Sequence, residues 1–354
     1  MAAVACGGFW GMRRPRLKAP SVYPVAYYHC ISRVVDRQFV LGEVEKEQFV
    51  AFMREYEEFC GVRILTYCIM SNHFHLLVEV PQRPQELPTD EDLLRRVERL
   101  SGAGGSATTR QMLERFRKEG HHRAAEEFRE RIFARMWDLS AFMKLLKQRF
   151  TQWFNHQRGR KGTWWEERFK SVLVEGAGDV LATMAAYIDL NPERAKMVED
   201  PKDYRWSGYG EAMAGRRRAK EGLRVVMAGA QRVSADSLTM EQALRGYRMW
   251  MFGQGEANEG VTEEGQALRA GFSREAVAGG VAGKGRVPGA EYLRLRVRYF
   301  ADGAVLGTRG FVNDVFVALR DRFGPKRADG ARRMRGVESD GLYAMRDLKV
   351  RTVG

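Results

Sequence analysis

Cysteine is scarce in this chain. Its 354 residues contain four, Cys6, Cys30, Cys60 and Cys68, with no CxxC spacing among them. That pattern argues against a disulfide framework or a cysteine zinc site and for free thiols in a reducing compartment, by default the cytoplasm. Long hydrophobic runs are also missing: nothing approaches the ~20 apolar residues of a membrane helix. The weakly apolar residues 1–10 precede the basic cluster Arg13, Arg14, Arg16 and Lys18, the reverse of the order in a secretory signal. Acidic residues are the third shortage. Asp and Glu number 45 against 59 Lys and Arg, a net charge of +14, and the pI is about 9.8. A field of that sign draws polyanions, of which nucleic acid is the commonest large one in a cell. No amphipathic helix with a basic face stands out, which disfavours an anionic membrane surface as the partner.

Hydrophobic residues at 44% and charged residues at 29% fit a folded globular protein, and the length allows two domains at ~100–200 residues each. Residues 23–34, rich in aromatic and β-branched types, read as a strand. Over 43–60, Phe49, Phe52, Met53, Tyr56 and Phe59 recur at three- and four-residue intervals, an amphipathic helix that Gly61 ends. Residues 62–70 and 73–80 read as a hairpin with Ser71 and Asn72 at the bend. Residues 82–136 are charged and helical in composition, broken by the small-residue run 101–106, and read as a surface insertion outside the core.

Helical periodicity returns over 139–157, followed by a basic turn at 158–162 and a strand at 168–175. A helix then opens at Asp179, suited to N-capping, and runs into Asn191-Pro192. The order β-α-β-β-(insertion)-α-β-α predicts an α+β fold with one sheet covered by helices. Past about residue 211 the texture shifts. Gly279, Gly280, Gly283 and Gly285 suggest a linker at 276–285. Residues 291–300 and 311–323 read as two short helices joined through Asp302 and Gly303 and followed by Lys326, Arg327, Arg332, Arg333 and Arg335. That is a helix-turn-helix candidate, although any helix pair around a glycine turn looks similar.

The chemistry concentrates in Ser71-Asn72-His73-Phe74-His75. Residues two apart on a strand share a face, so His73 and His75 project together while Phe74 buries beneath them. Two adjacent imidazoles make half a divalent-metal site. On the 179–194 helix, Tyr187 and Asn191 lie four apart on one face. Asn191 offers an amide oxygen as a third ligand, and Tyr187 a phenol that can attack a metal-polarised phosphate. Taken singly, each residue has a plainer reading: Tyr187 as a core aromatic, Asn191 before Pro192 as a helix stop, His29 as a packed or supporting histidine. His121, His122 and His156 read as exposed helix.

Together with Trp164-Trp165-Glu166-Glu167-Arg168-Phe169-Lys170-Ser171, Tyr187-Ile188-Asp189-Leu190-Asn191-Pro192 and Asp203-Tyr204-Arg205-Trp206-Ser207, these residues resemble the single-tyrosine HUH transposases, most closely the REP-associated tyrosine transposases. The resemblance spans about residues 20–210. It implies a ferredoxin-like (RRM-like) HUH domain there, with the 82–136 helical insertion, and a mainly helical C-terminal extension over 211–354. It further implies that His73 and His75 bind Mg²⁺ or Mn²⁺, with Asn191 in the amide-ligand position. Tyr187 would then cut single-stranded DNA beside a hairpin or inverted repeat, leaving a 5′-phosphotyrosine and a free 3′-hydroxyl. Relatives work as monomers or as dimers, and the oligomeric state stays open. One departure is Val34 after Ser32-Arg33, where members often carry Gly.

Single strands are held by basic grooves with aromatic platforms, stacking being worth ~1–3 kcal/mol per base. Arg158, Arg160, Lys161, Trp164, Arg168 and Lys170 combine both types, with Arg33 and Arg194 as further DNA-binding candidates; Trp165 and Phe169 fit the core equally well. Two other classes compete with a transposase-like nuclease. One is a domesticated hairpin-binding protein or repressor that does not cut, against which the intact His73, His75, Tyr187 and Asn191 set argues. The other is a zinc hydrolase using His73, His75 and Glu79. Glu79 lies about 13 Å along the strand from His75 at ~3.3 Å per residue, too far for joint coordination.

Overall fold

The computed structural model describes residues 17–252, 298–334 and 341–345. The expected linker at 276–285, the start of the expected 291–300 helix and Arg335 lie outside the described residues. Strand β1 (Val25–Arg33) leads into α1 (Glu43–Cys60), then the hairpin β2 (Arg63–Ile69) and β3 (His73–Pro81). The apolar stripe read in the sequence is the face α1 buries: Phe49, Phe52, Met53, Tyr56 and Phe59 all lie in the core. Gly61 stops the helix in the left-handed region at φ 63°, and a Cβ there would stand 2.8 Å from Trp137 Nε1.

Helices α2 (Asp90–Lys118), α3 (His122–Phe133) and α4 (Leu139–Arg158) follow, then β4 (Lys170–Val174). The expected break at 101–106 is a kink within α2, absorbed by Gly102 at φ 68°. The insertion is not peripheral to the core, as the sequence had suggested. Leu93 and Phe133 are 0% and 1% exposed and join α1 and α4 in one apolar cluster. A charged composition hid this because only one narrow stripe of each helix is apolar.

β1 pairs antiparallel with β3 and β4, and β2 with β3. The order β2-β3-β1-β4 is the ferredoxin-like arrangement expected. Beyond β4, however, the sheet continues through β5 (Val305–Gly307), β7 (Tyr343–Met345) and β6 (Arg332–Arg333). β5 lies parallel to β4. The chain therefore runs from α10 (Arg298–Asp302) through a strand, not a tight turn, into α11 (Arg309–Ala318). The helix-turn-helix candidate is corrected: sheet pairing occupies the place of the turn.

Helices cover both faces of the sheet. Phe74, Leu76 and Val78 point toward α1 and α4, while Leu77 points the opposite way, into a second cluster with α5 (Asp179–Asp189), α8 (Arg217–Gln231) and α9 (Met240–Phe252). α8 presses onto β2 through Gly222, where a Cβ would collide with the Leu65 carbonyl. Asp179 is the first residue of α5, with Gly178 at the cap position. Residues past 211 thus share a core with those before it, and the boundary read at 210 does not separate two cores. Among the described residues no helix is long and apolar enough to cross a membrane.

Candidate functional site

His73 and His75 stand on β3 opposite Arg33 and Ile31 of β1, their ring centroids 5.0 Å apart. The preceding turn fixes His73. The Asn72 carbonyl accepts the Val34 N–H at 2.9 Å, and the Asn72 amide nitrogen donates to the Arg37 carbonyl at 3.0 Å. With its NH₂ so engaged, Asn72 turns Oδ1 to His73 Nδ1 at 2.7 Å. The loop held by these bonds carries Asp36 and Arg37 at φ 56° and 54°, left-handed positions that non-glycine residues adopt at a cost of ~1–3 kcal/mol each.

A third imidazole joins the pair. His29 lies opposite Leu77 and so diagonal to His75 on the same face, its Nε2 2.8 Å from His75 Nδ1. Its Nδ1 is 2.8 Å from the Phe300 carbonyl. His29 is wholly buried, which lowers its pKa to about 4; the Arg194 charge adds to this and the bond to Phe300 opposes it. Burial likewise holds His75 well below the ordinary range, reinforced by His73, His29, Arg194 and Arg33. Both rings are neutral near pH 7, the state a metal ligand needs.

Tyr187, on α5, brings its ring against the imidazoles, with centroids 6.1 Å from His29 and 6.4 Å from His75. It is 3% exposed, closed in by Phe300 at 4.9 Å and by the Arg194 guanidinium 4.3 Å from its centroid. The expected single helix is two segments, α5 and α6 (Asn191–Arg194). Asn191 nevertheless stays one turn from Tyr187, donating its amide to the carbonyls of Tyr187 at 3.3 Å and Ile188 at 3.0 Å. With its NH₂ so engaged, Oδ1 is the atom Asn191 could offer a cation.

The donor set fits a divalent cation. His73 and His75 each engage Nδ1 in a hydrogen bond, so Nε2 is the ring nitrogen through which each would meet a cation, and Asn191 would add an amide oxygen. Two nitrogen donors suit Mn²⁺ better than Mg²⁺, which prefers oxygens. Among the described residues no three His, Cys, Asp or Glu form a metal-holding cluster. Glu79, the carboxylate of the zinc-hydrolase reading, pairs with Arg63 at 3.4 Å.

The expected DNA-binding residues divide. Arg160, Lys161 and Arg168 are exposed. Arg158 is also exposed but pairs with Glu45 at 2.6 Å, and Lys170 pairs with Asp302 at 3.1 Å. Arg33 is half-buried beside His73, and Arg194 half-buried over Tyr187. Trp164 is corrected. At 1% exposure it packs on Phe154, centroids 4.1 Å apart, and has no face for a base. Sequence reasoning missed Phe39, which is 82% exposed on the loop tied to Asn72. In the run Phe39-Val40-Leu41 only Leu41 is buried.

Residues 22–87 match the family model described as "Transposase IS200 like". This part of the chain is similar to the IS200-like transposases. The matched segment holds β1 to β3 and hence His29, His73 and His75; Tyr187 and Asn191 lie beyond it. No curated protein matches the chain. Among solved structures it is similar to one described as "Structure of the REP associates tyrosine transposase bound to a REP hairpin", with 15% identity and a TM-score of 0.34, covering 57% of this chain and 84% of that one.

Proposed function

We propose that the protein is a metal-dependent DNA endonuclease and strand transferase that cuts single-stranded DNA beside hairpin-forming repeats. The observation that carries this reading is the packing of Tyr187 against His29 and His75, which puts a phenol beside a pair of neutral imidazoles. The IS200-like match over residues 22–87 supports DNA as the substrate.

His73, His75 and Asn191 would hold Mg²⁺ or Mn²⁺, which when bound polarises a phosphate oxygen as a Lewis acid. Tyr187 Oη attacks the phosphorus. The Oη–P bond forms, the P–O3′ bond breaks, and the phenolic proton ends on the departing 3′-oxygen. A 5′-phosphotyrosine and a 3′-hydroxyl result, and attack by another 3′-hydroxyl reverses the step and joins a new strand. Arg194 sets positive charge over the ring of the nucleophile, a charge that would favour a nearby phosphate. Phe39 offers an unpaired base a platform that Trp164 cannot.

The burial of Tyr187 favours a second reading, hairpin binding without cleavage. One experiment separates the two: a hairpin-bearing single strand incubated with the protein and Mn²⁺ or Mg²⁺, then resolved under denaturing conditions. A covalent adduct lost with Tyr187→Phe and with EDTA supports the nuclease. An adduct that survives in the Phe variant assigns the nucleophile elsewhere, and tight binding without adduct in either metal supports the binder.

A further inference from the structure

A carbonyl oxygen carries no proton, so the 2.8 Å bond between His29 and Phe300 runs from His29 Nδ1–H to the oxygen. A neutral imidazole has one N–H, so His29 Nε2 keeps its lone pair. The 2.8 Å contact to His75 then requires His75 Nδ1 to donate, which leaves His75 Nε2 bare. Each step follows from the one before, beginning at a backbone atom whose role cannot change.

We propose that His29 is the positioning residue for His75 and that the segment bearing Phe300 is a working part of the site. Anchored by the Phe300 carbonyl, His29 fixes the tautomer and ring angle in which His75 meets a cation. This rests on the reading of His73 and His75 as the metal pair. The two ligands are thereby oriented from different parts of the chain: His73 by its neighbour Asn72, His75 through β1 by a residue 271 positions beyond His29. A wholly buried histidine with both nitrogens engaged is a costly filler where an apolar residue would pack as well. Partners of this kind commonly set metal affinity, a lost one weakening binding ~10–100-fold.

The test uses the full chain in two measurements. Nitrogen-15 NMR of the metal-free wild type reads the tautomers directly: both His29 and His75 carry their proton on Nδ1. An Nε2–H signal on either ring overturns the proposal whether or not metal binds. Mn²⁺ titration then compares wild type with His29→Leu, His29→Gln and His75→Ala. We expect His75→Ala to abolish binding, His29→Leu to weaken it ~10–100-fold, and His29→Gln, which restores an acceptor toward His75, to recover most of the loss. Wild-type affinity in His29→Leu with binding lost in His75→Ala sinks the positioning role and leaves the metal pair standing. Unchanged binding in His75→Ala sinks the metal pair itself.

Discussion

The ring of Phe300 stands edge-on to the ring of Tyr187, centroids 4.9 Å apart and planes at 81°. A residue from the end of the chain thus covers the candidate nucleophile. Phe300→Leu keeps most of the volume at a cost under about 1.5 kcal/mol but opens the edge of the contact. Tyr187 should then react faster with tetranitromethane than in wild type, while fully buried Tyr209 and Tyr247 stay protected as internal references. Equal Tyr187 reactivity in both proteins would show that Phe300 does not limit access.

Trp164 and Phe39 should separate stability from binding. Trp164→Ala empties a core position and should cost about 3–5 kcal/mol of stability. Phe39→Ala should leave stability within about 0.5 kcal/mol and weaken single-strand binding by roughly 5- to 150-fold, the equivalent of ~1–3 kcal/mol. Thermal melts and fluorescence-anisotropy titrations with an oligonucleotide check the pair. An unaltered affinity in Phe39→Ala contradicts its role as a platform.

Asp189 lies wholly buried at the junction of β2, α5, α7 (Gly208–Met213) and α9. It accepts bonds from Thr66 Oγ1 at 2.7 Å, the Tyr209 N–H at 3.1 Å and the Tyr247 hydroxyl at 2.5 Å. Burial raises its pKa from 3.8 to about 7, although those donors pull the other way. Between the two values the folded form holds a proton that the unfolded form has released. Stability therefore falls as pH rises through that window, by up to about 4 kcal/mol at ~1.4 per unit. Asp189→Asn removes the ionisation and should flatten the curve. Urea midpoints at pH 5 and pH 8 check this, and the same pH dependence in both proteins would contradict it.

Much of the first half was legible in the sequence because its elements have clear periods and stops. The stripe from Phe49 to Phe59, the stop at Gly61 and the His73-Phe74-His75 alternation each dictate a local geometry that packing leaves unchanged. Tyr187 was legible as a partner of the histidines through its four-residue spacing from Asn191 and through the family resemblance, not through any local pattern of its own. Strand β5 was not, since the three residues Val305–Gly307 carry no readable period and form a strand only because β4 offers an edge. Trp164 misled for a related reason. Just before β4 the chain makes only an isolated bridge at Trp165, so strand alternation does not apply and both indoles turn into the core. The His29–Phe300 bond spans 271 residues, a separation no local pattern can show.

Mass spectrometry of the protein after incubation with a hairpin-bearing single strand and Mn²⁺ tests the central claim most directly. The account predicts one tryptic peptide, the one containing Tyr187, carrying a nucleotide through its phenol oxygen. A nucleotide attached to any other residue, or a nicked strand with no attached protein, would contradict it.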